Sequence, residues 1–143
     1  IGAMLAGKAF ANSPVAAVHA LAYPIGGTFH ISHGLSNSLV LPYVLRFNSV
    51  DVKAAKYYAE LAPYVFPNLD INRGTQAVCS EFIDKMENLS KRLGLPQKLR
   101  EVNIPKNACE KMARDAMKQT RLLVNNPREV TETDALSIYQ SAW

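Results

Sequence analysis

A chain of 143 residues, 48% hydrophobic and 20% charged, has the balance of one globular domain and can bury a core without a disulfide or a structural metal. Its net charge of +4 is spread along the sequence, with no arginine-rich run and no basic–aromatic interleaving, which argues against a nucleic-acid partner. No apolar run approaches the roughly 20 residues of a membrane-spanning helix, no secretory leader is visible, and Cys79 and Cys109 form no Cys-x-x-Cys pair, which excludes a zinc ribbon and predicts two reduced thiols in a cytoplasmic protein.

The elements follow in chain order. The opening Ile1-Gly2-Ala3-Met4-Leu5 enters an apolar helical pattern midway, without an initiator methionine or a cap, and predicts a fragment of a longer protein. Ser13-Pro14 reads as a helix start, with serine as cap and proline in the first position. His19 then falls in the second turn, and Tyr23, four residues later, shares its face. Pro24 and Gly26-Gly27 are expected to weaken that helix, and a reversal over about six residues leads to the next helix, Leu35 to Phe47, opened by His33-Gly34.

Further breaks are read at 63–74, 94–105 and 125–128. Val78, Phe82, Ile83, Met86, Leu89 and Leu93 mark one face of a helix, stopped by Gly94 and the trailing Pro96. Met112, Ala116, Thr120 and Leu123 mark another, with Lys111, Arg114, Lys118 and Arg121 on its solvated side. Asn107 with Glu110 and Thr131 with Asp134 resemble capping boxes. A last helix, from about 132 to 141, should bury Ala135, Ile138 and Tyr139. With no sustained two-residue alternation and no hairpin dipeptide, the reading is an all-α, bundle-like domain of about six or seven helices spanning residues 1–143.

His19, His30 and His33 are the only histidines. Imidazole is the side chain most used to hold a transition metal or move a proton at neutral pH. Two helices joined by a short reversal could aim His19 and His33 at one ion. Two ligands are half of the three or four that a zinc or non-haem iron site requires. By spacing alone His19 also reads as a core histidine, His33 as a helix-start residue and His30 as a loop residue.

The residues Gly7–Phe10, His19-Ala-Leu-Ala-Tyr-Pro-Ile-Gly-Gly, His33-Gly34-Leu35-Ser36-Asn37, Leu41-Pro42-Tyr43-Val44 and Phe47-Asn48 closely resemble the signature of the iron-containing (group III) alcohol dehydrogenases. Leu93-Gly94-Leu95-Pro96, Asn126-Pro127-Arg128 and the closing Asp134–Trp143 segment resemble the end of that family's C-terminal helical domain. The resemblance covers essentially the whole chain.

It implies one divalent metal between two domains, iron or in some members zinc, held by an aspartate, a histidine four residues later, and two further histidines that match His19 and His33. It places Phe10 and Asn12 near substrate and nicotinamide, and Tyr23 where many members carry a histidine close to the reaction centre. A phenol with a reference pKa of about 10 suits a proton relay at neutral pH less well than imidazole does, so Tyr23 is the catalytic candidate as a hydrogen-bonding group. The activity implied is reversible hydride transfer between a small alcohol and an aldehyde or ketone through NAD or NADP, in a full-length protein expected to be a homo-oligomer. No Asp-x-x-x-His and no Gly-x-Gly-x-x-Gly occurs in the chain, so the nucleotide-binding domain and the other two ligands are expected upstream, and the isolated chain is expected to be inactive. The other readings are a non-catalytic helical module or remnant, and a relative of the glycerol dehydrogenase or maleylacetate reductase type.

Overall fold

The computed structural model describes residues 1–143. It is all helical, with eight α-helices: α1 (Gly2–Asn12), α2 (Ala17–Phe29), α3 (His33–Asn48), α4 (Val52–Val65), α5 (Thr75–Arg92), α6 (Ala108–Ala116), α7 (Thr120–Leu123) and α8 (Glu132–Ala142). Short 3₁₀ turns at Ile71–Arg73 and Leu99–Val102 complete it.

The main core centres on α2, whose Ala17, Ala20, Leu21 and Ile25 are all sealed from solvent. Alanines at the start of α2 let α3 and α6 approach closely. The facing residues are Leu39, Val40 and Val44 of α3 and Cys109, Met112 and Ala113 of α6, with α8 closing the cluster through Ala135, Ile138 and Tyr139. The fully buried Tyr139 donates its hydroxyl to the Leu21 carbonyl at 2.6 Å. Burying that phenol unpaired would be costly, so the bond fixes α8 against α2. A smaller core joins α4 and α5 through Ala55, Ala62, Val78, Cys79, Phe82 and Ile83. Both cysteines are buried and free, and burial pushes both thiols up in pKa.

Several local expectations are corrected. Ser13 closes α1, its N–H bonded to the Ala9 carbonyl, and does not cap α2. Helix α2 starts at Ala17 behind Ala16, which offers no capping side chain. Pro14 could have opened a helix, but the start is set where Ala17 enters the core. Nor do Pro24 and Gly26-Gly27 break α2, which runs through them to Phe29. Proline costs a helix its bond to the carbonyl four residues back. Here Pro24 is itself buried, and packing carries the helix past it. Pro42 in α3 and Pro63 in α4 are likewise inside their helices.

An unforeseen break follows Asn48, where the Asp51 side chain accepts from the Ala54 N–H at 2.9 Å and starts α4. The helix read across Met112 to Leu123 is two, α6 and α7, interrupted at Met117–Gln119. Asn107 makes no capping bond, whereas Thr131 and Asp134 form the full reciprocal box of α8. Val78, Phe82 and Ile83 of α5 are buried as expected, but Leu89, and Leu93 just past the end of the helix, are exposed. They border a groove at His19 that no helix of this chain covers.

Candidate metal centre

The link between α2 and α3 is only His30-Ile31-Ser32, half the expected reversal. His30 takes a left-handed conformation with φ 56° and returns its N–H to the Gly26 carbonyl. That is the role of a helix C-cap, and the exposed side chain makes His30 a turn residue. Gly26 permits the close return of the chain. A Cβ there would lie 3.3 Å from the Ile31 carbonyl oxygen and 3.6 Å from Ser36 Oγ. Ser36, fully buried, fastens the same turn by donating to the Ser32 carbonyl at 3.0 Å and the Ile31 carbonyl at 3.3 Å.

This turn lays the first residues of α3 back along α2. The rings of His19 and His33 come to rest with centroids 5.1 Å apart, tilted by 53°. Tyr23 also lies beside His33, centroids 6.1 Å apart. His19 is half-buried, His33 exposed, and Tyr23 45% exposed. Desolvation, and then the charge of His33, lower the His19 pKa, which favours the neutral, metal-binding form of the ring.

The spacing fits a shared ion. A metal–nitrogen bond of about 2.1 Å puts an imidazole centre roughly 3.2 Å from the ion, and a tetrahedral angle then separates two such centres by about 5 Å. No third histidine, cysteine, aspartate or glutamate joins them. The pair therefore offers two of the ligands such a site requires, imidazole nitrogens of a kind that suits iron or zinc.

The structure leaves the other candidates apart. Helix α1 buries none of its residues. Phe10 is 56% exposed, and Asn12 spends its side-chain amide on the Lys8 carbonyl at 2.8 Å. One residue beside the pair was given no role from sequence. Asn37 places its Nδ2 3.1 Å from His33 Nε2, while its Oδ1 is buried and has no hydrogen-bond partner. A polar residue four positions after a helical histidine is the signal that could have found it. His19 and Asn37 also line a groove of about 370 Å³ whose apolar wall includes Val18, Leu41, Met86 and Leu89.

Along a second groove that His19 also lines, the fold is tied by amides. Asn48, at the end of α3, exchanges two bonds with Asn126, at 2.7 and 3.2 Å, and donates to the Tyr58 hydroxyl. Arg128 donates to the Phe47 carbonyl and lies 3.9 Å above the Phe47 ring. Asn125 reaches the Val15 carbonyl at 3.1 Å. The Asn126-Pro127-Arg128 segment thus fastens the end of α3, and Asn125 the chain just ahead of α2.

Comparison with known proteins gives a consistent result. The family model described as "Fe-containing alcohol dehydrogenase family, C-terminal" matches residues 1–143. Long-chain-alcohol dehydrogenase 1 of Geobacillus thermodenitrificans (strain NG80-2) is 37% identical over 99% of this chain and 35% of its own length. The 1,3-propanediol dehydrogenase of Citrobacter freundii is 31% identical over 98% and 35%. Among solved structures, a 1,3-propanediol oxidoreductase superposes with a TM-score of 0.89 at 30% identity, covering 97% of this chain and 35% of that one. An alcohol dehydrogenase from Oenococcus oeni gives 0.87 at 33% identity, covering 98% and 36%. The chain therefore spans about a third of the length of the relatives it matches.

Proposed function

This chain belongs to the Fe-containing alcohol dehydrogenase family, as its C-terminal domain, and from that premise we propose that it is the metal-site half of an NAD(P)-linked dehydrogenase acting on a small alcohol or its aldehyde or ketone. His19 and His33 supply two of the metal's ligands. The observation that carries this reading is the 5.1 Å spacing of their rings across two helices. Iron, or zinc, when bound supplies a Lewis acid that acidifies the substrate hydroxyl and so favours hydride release to the nicotinamide. The protein's own part is to hold and orient.

His19 offers a ring whose pKa partial burial lowers. His33 meets it from the start of α3. Tyr23, exposed beside His33, holds a hydroxyl that can hydrogen-bond a polar group of the substrate. Phe10 and Asn12 form the substrate and cofactor edge only once the rest of the enzyme covers α1. The remaining ligands and the nucleotide-binding domain belong to the part of the enzyme that this chain does not span, so catalysis needs both.

The test is metal content and NAD(P)-dependent alcohol oxidation, measured on this chain and on the longer polypeptide that carries it. The longer protein should hold about one metal per chain. His19→Ala or His33→Ala should weaken retention by more than about 100-fold, beyond what loss of an outer-shell partner costs. Robust turnover by the 143-residue chain alone overturns the division of labour, and unchanged metal content in both variants overturns the ligand assignment.

A further inference from the structure

The carboxamide of Asn37 stands in α3 one turn after His33, and its two ends have different surroundings. One end lies 3.1 Å from His33 Nε2. The other is buried and faces no hydrogen-bonding partner; it is the only buried side-chain polar atom in the structure left so. A carboxamide can be turned over about its last bond with almost no change of shape, so hydrogen bonding must decide which end is which.

The two orientations are not equal in cost. If the oxygen faced His33, the amino group would take the dry position, with two N–H groups unpaired. Buried N–H groups without partners are rarer in folded proteins than under-used carbonyl oxygens, because an unpaired buried donor loses its hydration with nothing in return. With Nδ2 toward His33, only an oxygen is left dry, which is the arrangement observed.

An amide N–H can bond Nε2 only if Nε2 carries a lone pair. In a neutral imidazole the proton is then on Nδ1.

We propose that Asn37 is a positioning residue that fixes the tautomer of His33, holding the proton on Nδ1 and presenting Nε2 as the bare donor nitrogen before any ion arrives. The inference rests on the metal-ligand reading above, because it gives the fixed tautomer its use: His33 offers an ion a ring whose Nε2 already carries a lone pair. Residues that orient metal-bound histidines commonly act from the far ring nitrogen. Asn37 acts instead directly on Nε2.

The tautomer is readable without metal. Long-range ¹H–¹⁵N correlation spectra of the metal-free chain, at about pH 8.5 where a free imidazole is neutral, should show His33 with its proton on Nδ1. Asn37→Asp presents only acceptors and should move the proton to Nε2. Asn37→Leu keeps the volume without a donor and should relax His33 to a mixture of both forms.

Finding the proton on Nε2 in the unsubstituted chain overturns the proposal. So does a His33 signature that Asn37→Leu leaves unchanged, and the unsubstituted chain decides the question even if a variant fails to fold. Zn²⁺ titration of the same sample tests the ligand reading separately, since shared binding shifts His19 and His33 together whichever tautomer was present beforehand.

Discussion

Two helix pairs of this domain are built differently. In α2–α3 the link is three residues long, Ala17 and Ala20 pack with Leu21 and Ile25 against Leu39, Val40 and Val44, Gly26 admits the turn, and the packed pair is clamped by α6 and α8 from the other side. In α4–α5 the link runs through Phe66–Gly74 with a 3₁₀ turn, and the pair buries one face through Phe82 and its neighbours. It leaves Tyr57, Leu61 and Tyr64 of α4 exposed. The first pair holds two rings at a fixed separation and has little slack. The second is scaffold and tolerates a loose connection. Positional accuracy here comes from short links and small residues, and bulk stability from large apolar side chains.

If that contrast holds, damage to the two pairs should have different readouts. The largest loss of stability is expected from Phe82→Ala in the scaffold pair, about 3–5 kcal/mol, measured by urea unfolding. The folded fraction should keep the His19–His33 resonances unshifted. Next is Tyr139→Phe beside α2, which deletes the 2.6 Å bond to the Leu21 carbonyl. It should cost about 1–3 kcal/mol, less than Phe82→Ala, yet perturb His19 chemical shifts. Equal silence at His19 in both variants would erase the distinction between the pairs.

The glycines give a sharper comparison. Gly26→Ala must displace the Ile31 carbonyl. An overpacking cost of about 1–3 kcal/mol should outweigh the gain of roughly 0.5–1 kcal/mol from replacing a helical glycine. Gly27→Ala meets nothing within 4 Å and should stabilise by that same 0.5–1 kcal/mol. Thermal unfolding should therefore move in opposite directions for the two neighbours.

The smallest effect concerns acid. Lys111 and Lys118 hydrogen-bond the Asp115 carboxylate at the end of α6 and pull its pKa from 3.8 to about 2. A pKa lowered on folding means that the unfolded chain takes up the proton first. The contribution is complete above pH 3.8 and fades as pH falls toward 2. Asp115→Asn should narrow its stability gap from the unsubstituted protein across that window, with α4–α5 unaffected.

Much of the fold was legible because helices are local. The three-and-four spacing from Val78 to Ile83 found the buried face of α5, and Thr131-x-x-Asp134 found the start of α8, since each depends on residues within one or two turns. Boundaries set by packing were not legible. Asn107-x-x-Glu110 has the form of a cap and makes no such bond. Ser13-Pro14 has the form of a start, yet α2 begins where Ala17 meets the core. Pro24 should have weakened α2 on propensity alone, but burial around it outweighs one lost backbone bond. At the candidate site the residue types were legible and Asn37 was not, because its role lies in which atom faces Nε2 and which atom is left dry.

The sequence by itself determined that His19 and Tyr23 share one helix face and that His33 and Asn37 share another, because four residues are close to one helical turn. Only the tertiary structure decided that the two faces meet with ring centroids 5.1 Å apart. That separation depends on a three-residue turn, on the absent Cβ of Gly26 and on the burial of α2 against three other helices. These are interactions between residues distant along the chain, whose sum no local pattern records.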